Sequence, residues 1–321
     1  MKAAIYERYG PPEVVRIKDV PMPVPKIGEL LVQSCAATVN SGDARLRAAR
    51  VPRGMSALVR LTMGVTKPRR PVLGFEVAGR VSEVASGVSG FRPGDRVVAS
   101  RGFKFGCHAE YITVAEKGQV AEIPDNVSYE AAVALCFGGS TAWHFLERGK
   151  LSAGESILIN GASGAVGTMA VQLAKHCRAE VTAVCSSANV ELVRSLGADH
   201  VIDYTAQDFT QNGQRYDVVM DTHGNAPYAR VKDSLKPGGR LLMVVGDLFQ
   251  TVASSWQRAT IGGTTKVSGE IYRTLMSLAE QGVLKPVIDT VVPFEQIVEA
   301  HRRVDGGHKI GSVVLTLGKD R

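Results

Sequence analysis

The segment Asn160-Gly161-Ala162-Ser163-Gly164-Ala165-Val166-Gly167 has the residue types and spacing to hold a pyrophosphate. It follows an apolar stretch, 156–159, that reads as a buried strand, and it opens a run over 165–178 that reads as a helix. The spacing is A-x-G-x-x-G, with Ala162 where such turns often have their first glycine. In that context Gly164 lets backbone approach a phosphate, and Gly167 lets the helix pack close to the strand. The helix N-terminus adds unpaired N–H groups and the positive end of its dipole. The plain alternative is a glycine turn that joins a strand to a helix and binds nothing.

The end of the next strand bears on which dinucleotide is held. An NAD site of this kind has an Asp or Glu about 20 residues on, to hold the ribose 2′-hydroxyl. Here the stretch is Val184-Cys185-Ser186-Ser187-Ala188-Asn189, with no acid. The hydroxyls of Ser186 and Ser187 can donate to a 2′-phosphate, which an acid would repel. The expected cofactor is therefore NADPH rather than NADH.

Around this turn the chain changes texture. Before Pro124 it reads as short strands punctuated by Gly and Pro, such as 3–6, 14–17, 30–36, 75–84 and 96–99, the pattern of a small β-barrel-like domain. From the N-cap candidate Ser128 onward, strands at 156–159, 180–184, 200–203, 216–221 and 240–245 alternate with helices at 165–178, 189–196 and 226–235. That alternation predicts a parallel sheet with crossover helices. A helix over 270–282 and a strand over 311–317 close the chain.

Composition bounds the remaining possibilities. The 321 residues are 45% apolar and 21% charged, a globular balance, and no apolar run approaches the ~18 residues of a membrane span. The N-terminus does not read as a signal or transit peptide. Five cysteines, at 35, 107, 136, 177 and 185, include no C-x-x-C pair, which fits a reducing compartment and a cytoplasmic location. The net charge is +7. Residues 44–70 carry Arg45, Arg47, Arg50, Arg53, Arg60, Lys67, Arg69 and Arg70 with no acid, interleaved with Met55, Leu58, Val59, Leu61, Met63 and Val65. No aromatic occurs there, so stacking on nucleic-acid bases has no support. Two readings stand: a lid whose arginines face water, or a segment that touches an anionic membrane.

Jointly, several stretches resemble the zinc-free quinone-oxidoreductase branch of the medium-chain dehydrogenase/reductase superfamily. They include Ala37-Thr38-Val39-Asn40-Ser41-Gly42-Asp43, Leu73-Gly74-Phe75-Glu76-Val77-Ala78-Gly79, Phe91-Arg92-Pro93-Gly94-Asp95-Arg96-Val97, the glycine turn, and Gly307-His308-Lys309-Ile310-Gly311. Within the branch the chain is similar to chloroplast-envelope quinone oxidoreductase homologues and reticulon-interacting mitochondrial oxidoreductases. The resemblance implies an α/β fold: a Rossmann doubly wound parallel sheet, residues 125–264, inserted in a chaperonin-10-like β-rich catalytic domain, residues 1–124 and 265–321. It implies a homodimer, and reduction of a quinone or an α,β-unsaturated carbonyl by NADPH. It also implies roles. Asn40 lies beside the nicotinamide ribose and Thr141 contacts the nicotinamide. Ser163, Gly164, Ala165 and Val166 form the pyrophosphate turn. Ser186 and Tyr204 meet the 2′-phosphate and adenine side, and Val245 and Gly246 meet the carboxamide.

Asn40 is the first candidate for a catalytic polar contact and Asp43 the second, although Asn-Ser-Gly-Asp also reads as a plain turn. The branch often has a Lys or Arg where Ala188 stands. Where the zinc alcohol dehydrogenases of the superfamily bind metal, this chain has Val39-Asn40, Phe75-Glu76 and Phe137, so no metal is expected. Without zinc, a saturated alcohol is a poor hydride donor, whereas a quinone or activated C=C is a good acceptor. Tyr228 and Lys232 share the Y-x-x-x-K spacing of short-chain dehydrogenases, but on a helix expected to be a solvated face. His223 follows a strand whose end faces the crevice. His301 and His308 read as surface residues. Two alternatives remain: a non-catalytic dinucleotide-binding protein acting through a partner or as a sensor, and a zinc-type alcohol dehydrogenase.

Overall fold

Short aliphatic runs bounded by Gly and Pro form the strands of the first 125 residues, where alternating burial on one face of each strand drives pairing. The structure, a computed structural model, describes residues 1–50, 56–246 and 259–318, with backbone alone for 56–59. β1 (Lys2–Tyr6) and β2 (Val15–Asp19) pair antiparallel. β3 (Glu29–Val39), α1 (Ser41–Arg47), α2 (Ser56–Met63), β4 (Glu76–Val84), β5 (Arg96–Ser100), β6 (Tyr111–Ala115) and β7 (Gln119–Glu122) follow. After α3 (Tyr129–Arg148) come β8 (Ser156–Asn160), α4 (Ala165–His176), β9 (Glu180–Cys185), α5 (Val190–Ser195) and β10 (His200–Asp203). Then come β11 (Tyr216–Asp221), α6 (Tyr228–Val231), β12 (Leu235–Met243) and β13 (Thr260–Ile261). α7 (Gly269–Glu280), β14 (Ile288–Pro293), α8 (Ile297–Asp305) and β15 (Ser312–Thr316) complete the described chain.

Strands β8 to β13 make a six-stranded sheet in the order β10-β9-β8-β11-β12-β13, every neighbour parallel. Counted along the chain this is the doubly wound Rossmann order, and its direction reverses between β8 and β11. A ligand crevice therefore opens at the C-terminal ends of those two strands. The second sheet runs β14-β15-β3-β4-β5-β7, with β6 paired to β3. β15 lies antiparallel to β3, Val313 opposite Val39, so the end of the chain returns to the N-terminal sheet and the Rossmann sheet is an insertion.

α3 joins the two sheets. Its N-cap is Ser128, whose hydroxyl accepts from the Ala131 N–H at 3.1 Å. Its apolar faces share one core with Ala36, Val98 and Val314 on one side and Ile157, Val218 and Leu242 on the other. Contact is backbone-close at three glycines. A Cβ on Gly138 of α3 would stand 2.0 Å from the Ala165 carbonyl oxygen, and one on Gly167 2.1 Å from that of Gly161. Gly311, at φ +63°, donates its N–H to the Ser163 carbonyl at 2.9 Å, and a Cβ there would stand 2.1 Å from the Val287 oxygen.

Two local expectations change. The helix expected over 226–235 is four residues long, because Leu235 already belongs to β12. That strand runs through Pro237, whose missing N–H is tolerated where the register slips between Tyr216 and Val218. His301 is not a surface residue but fully buried. It lies one turn beyond Ile297 on the face of α8 that packs inward with Ala300 and Val304.

The Arg47 side chain is also fully buried, between α1 and α8. It donates to Gly10 O and pairs with Asp305 at 2.5 Å. Arg50, mostly exposed, reaches the same carboxylate at 3.2 Å. Removing the partner of a buried charge costs about 3–5 kcal/mol, whereas an exposed partner contributes roughly 0–1. Asp305→Ala should therefore lower unfolding free energy by about 3 kcal/mol and Arg50→Ala by under about 1, read from urea denaturation.

Candidate active site

The glycine turn leaves β8 and enters α4 at the predicted crevice. Gly161 has φ +82°, and a Cβ there would stand 2.7 Å from Thr222 Oγ1, which donates to the carbonyls of Asn160 and Gly161. Asn160 Nδ2 donates to Asp221 and Asn225, and Asp221 accepts from the N–H groups of His223, Gly224 and Ala226. The ends of β8 and β11 are thus tied into one rigid rim. Gly164 is the N-cap of α4, and the nearest atom to a Cβ there is 3.5 Å away, so that side of the turn is open. Gly167 faces the other way, against Gly161 and Ala162, in the packing role its place in the motif predicts.

One cleft of about 1280 Å³ gathers most of the expected cofactor residues. Gly161, Ser163, Gly164, Ala165, Val166, Ser186, Tyr204, Val245 and Gly246 line it, and so does His223. Gly167, Asn40, Asp43 and Thr141 are buried or packed behind its lining, and Ser187 is exposed just outside it. Asn189 ties the glycine turn to the end of β9 by donating to Ser163 Oγ and Ser186 Oγ.

Four cations line the same cleft: Arg45 and Arg50 of the basic segment, and Arg230 and Lys309, which the sequence did not single out for this site. Burial pushes the Lys309 ammonium down to about 8, with Asp289 opposing. Arg230 reaches Asp208 at 3.3 Å and lies over the Phe209 ring. Ala188 does line the cleft without a charge, but it has these cations as neighbours in the same cavity. Of the Y-x-x-x-K pair, Lys232 is exposed, while Arg230 between them turns to the cleft. The described cations of the basic segment are exposed apart from Arg47. Arg45 and Arg50 line the cleft as well, Arg47 is buried, and Arg53 lies outside the described residues.

The catalytic candidates form a buried polar knot at the start of α1. Asn40 caps the helix: its Oδ1 accepts from Gly42 and Asp43 N–H, and the Asp43 carboxylate accepts in return from Asn40 N–H. Asp43 also accepts from Gly74 N–H and is fully buried, so it holds the turn rather than facing the cleft. Asn40 keeps only its Nδ2 hydrogens, and Nδ2 lies 3.5 Å from Glu76 Oε2, which also accepts from the Thr38 hydroxyl at 3.0 Å. Burial, and then the Asp43 charge, push the Glu76 carboxyl up to about 8. His108 Nε2 lies 2.8 Å from Thr38 O, and its ring is 6.0 Å from that of His301.

Metal-type ligands do not converge. Among the described residues no three His, Cys, Asp or Glu side chains form a group that could hold an ion. Cys107, Cys136 and Cys185 are buried, Cys35 and Cys177 half-buried, and none forms a disulfide. Burial pushes the thiols of Cys107, Cys136, Cys177 and Cys185 up.

Comparison with known proteins meets this geometry. Residues 26–125 match the alcohol dehydrogenase GroES-like domain, and 196–315 match the zinc-binding dehydrogenase family model. An NADPH-dependent alkenal/one oxidoreductase of Arabidopsis thaliana is 33% identical over 98% of this chain and 79% of its own. A quinone-oxidoreductase of Triphysaria versicolor is 32% identical over 98% of each. The structure of a quinone oxidoreductase from Coxiella burnetii superposes with a TM-score of 0.88 at 27% identity, covering 99% of both chains. The chain belongs to the medium-chain dehydrogenase/reductase superfamily, in its quinone-oxidoreductase branch.

Within this medium-chain dehydrogenase/reductase, Glu76 is the group sequence reasoning passed over. It is read easily as part of a motif, but its charge state depends on neighbours from distant elements. Asp43 on α1, Cys107 before β6, Cys136 on α3 and Tyr272 on α7 all act on it or feel it, and Arg101 is the cation nearby through Cys107. The fold favours the protonated carboxyl, while the unfolded chain ionises near pH 4.5. The contribution is therefore complete below that pH and is lost as pH rises to about 8. Glu76→Gln cannot ionise. Its thermal midpoint should pull ahead of the wild type progressively between about pH 5 and 8 and run parallel above that. A gap that stays constant with pH would show that Glu76 is charged in the fold.

Proposed function

We propose that this protein is an NADPH-dependent, zinc-independent reductase of quinones or α,β-unsaturated carbonyls. The observation that carries the reading is the cleft itself. A glycine turn at a helix N-terminus sits at the switch point of a Rossmann sheet, and Phe137 borders the cleft it opens. The names of the relatives, alkenal/one oxidoreductase and quinone-oxidoreductase, describe the same chemistry. When bound, NADPH supplies a hydride to the β carbon of a conjugated carbonyl, whose α carbon takes up a proton. The protein's part is to bind and orient. Ser163, Gly164, Ala165 and Val166 would hold the pyrophosphate. Ser186, Ser187 and Tyr204 would meet the 2′-phosphate and adenine side, supported by the absence of acid at that strand end. Thr141, Val245 and Gly246 would position the nicotinamide, with Asn40 Nδ2 as donor beside its ribose. Asp43 would act only through the fold of this turn.

The catalytic domain of this reading comprises residues 1–124 and 265–321, and the cofactor domain 125–264. That none of the five cysteines forms a disulfide supports a reducing compartment, and the cytoplasm is the proposed location. The proposed active form is a homodimer. Contact with an anionic membrane is a second, peripheral role. Leu61 and Val65 are 63% and 54% exposed beside exposed Arg60, Lys67, Arg69 and Arg70. It predicts co-sedimentation with phosphatidylserine vesicles at low salt that is lost in an Arg60→Ser, Arg69→Ser, Arg70→Ser variant. Binding unchanged by those substitutions would dismiss it.

The main reading is tested by NADPH oxidation with menadione and with a small enone, with and without chelator. Turnover unaffected by chelator is expected, with kcat/KM for NADPH at least about tenfold above NADH, as one charge-assisted contact to the 2′-phosphate implies. NADPH binding without turnover of either acceptor would favour a sensing or partner-binding protein. Loss of turnover on chelation would favour a zinc-type alcohol dehydrogenase.

A further inference from the structure

Four phenylalanines run from the cleft to the surface. Phe137 on α3 lines the cleft, one helical turn before Thr141 on the same face. The half-buried Phe75 ring has its centroid 6.1 Å from that of Phe137, the planes at 59°. Phe105 meets Phe75 edge-on at 4.8 Å and 86°, and Phe103, 61% exposed, meets Phe105 at 6.3 Å. The start of α1 is shaped to this wall. A Cβ on Gly42 would stand 2.9 Å from Asn40 Oδ1 and 3.0 Å from Phe75 Cε2, so the glycine lets the helix pass close beside the cap and the ring. Phe105 itself is held at φ +53°, in the left-handed region that bulky residues avoid. Backbone strain of this kind persists where the surroundings fix a side chain for a purpose.

We propose that Phe137 and Phe75 form the acceptor subsite, selecting acceptors with a flat, extended conjugated system, aryl enones and quinones, over small aliphatic enones. The inference rests on the reductase reading and adds the shape of its substrate. An electron-poor conjugated carbonyl stacks offset on the electron-rich face of a phenyl ring, and the two tilted rings offer a corner for it. Phe105 backs Phe75 and keeps it from rotating away. A small aliphatic enone presents too little surface to gain from either ring.

The test compares benzylideneacetone with ethylideneacetone, which differ only in phenyl for methyl, using the full chain with NADPH. The ratio of their kcat/KM values should fall about tenfold in Phe137→Leu and in Phe75→Leu, with NADPH affinity unchanged. Leucine keeps the site apolar and filled, and Phe137→Tyr, which keeps the aromatic face, should stay within about twofold of the wild type. An unchanged ratio, or equal losses on both acceptors, overturns the proposal. A second arm separates it from the reductase reading: calorimetric binding of benzylideneacetone to the NADP⁺-loaded protein. If neither acceptor is turned over, the reductase reading falls. In that case, binding that weakens in Phe137→Leu still supports the subsite, and no binding to the wild type overturns it.

Discussion

The molecule depends on backbone meeting backbone with no side chain between. At Gly138, Gly167 and Gly311 three different segments press onto the glycine turn from α3, from α4 and from the loop before β15. The contacts at Gly138 and Gly167 are closer than any Cβ allows, while Gly311 reaches the turn through its N–H to the Ser163 carbonyl and has no Cβ to strike Val287. They bring α3, which carries Phe137 and Thr141, against the turn that leads into α4. They also bind the last strand of one sheet to the first helix of the other. Gln172 of α4 reinforces the join by exchanging two hydrogen bonds with the backbone of Lys285. The cleft is therefore a seam between two sheets whose walls are set by main chain.

That seam explains where the positive charge goes. A cleft built for an anionic cofactor benefits from cations that need not touch it, because low-dielectric walls focus their field. Arg45, Arg50, Arg230 and Lys309 come from both domains and face the same space. Arg47 is spent differently. It is fully buried and joins α1 to α8 through Asp305, a residue that also lines the cleft. One carboxylate thus serves the fastening of α1 and the rim of the site.

Much of this was legible along the chain because it is local. The glycine turn, the N-cap at Ser128 and the alternation of strand and helix are each set by neighbours in sequence, and they recur in the structure at nearly the same residues. What escaped is set by contacts between distant elements. Lys309, in the loop before β15, and Arg230, on α6, look like surface cations until the fold brings them to the cleft. His301 looks polar, yet helical phase places it in the core. Glu76 looks like an ordinary ionised carboxylate, and only burial with Asp43 gives it a neutral form near pH 7. Strand β12 passes through Pro-Gly-Gly because a slip in pairing with β11, two strands into a sheet, absorbs the missing donor.

The placement of the thiols has a consequence for the lifetime of the protein. Conjugated carbonyls are alkylating agents, and the form of cysteine they attack is the exposed thiolate. A reductase of such compounds works in the presence of its own poison. Here Cys107, Cys136 and Cys185 are shut away from solvent and kept protonated by burial, and Cys177 is half-covered and shifted the same way. Cys107 further commits its hydrogen to the Phe75 carbonyl, directly behind the aromatic wall. The packing behind Phe75 therefore keeps the Cys107 thiol from covalent attack by such compounds.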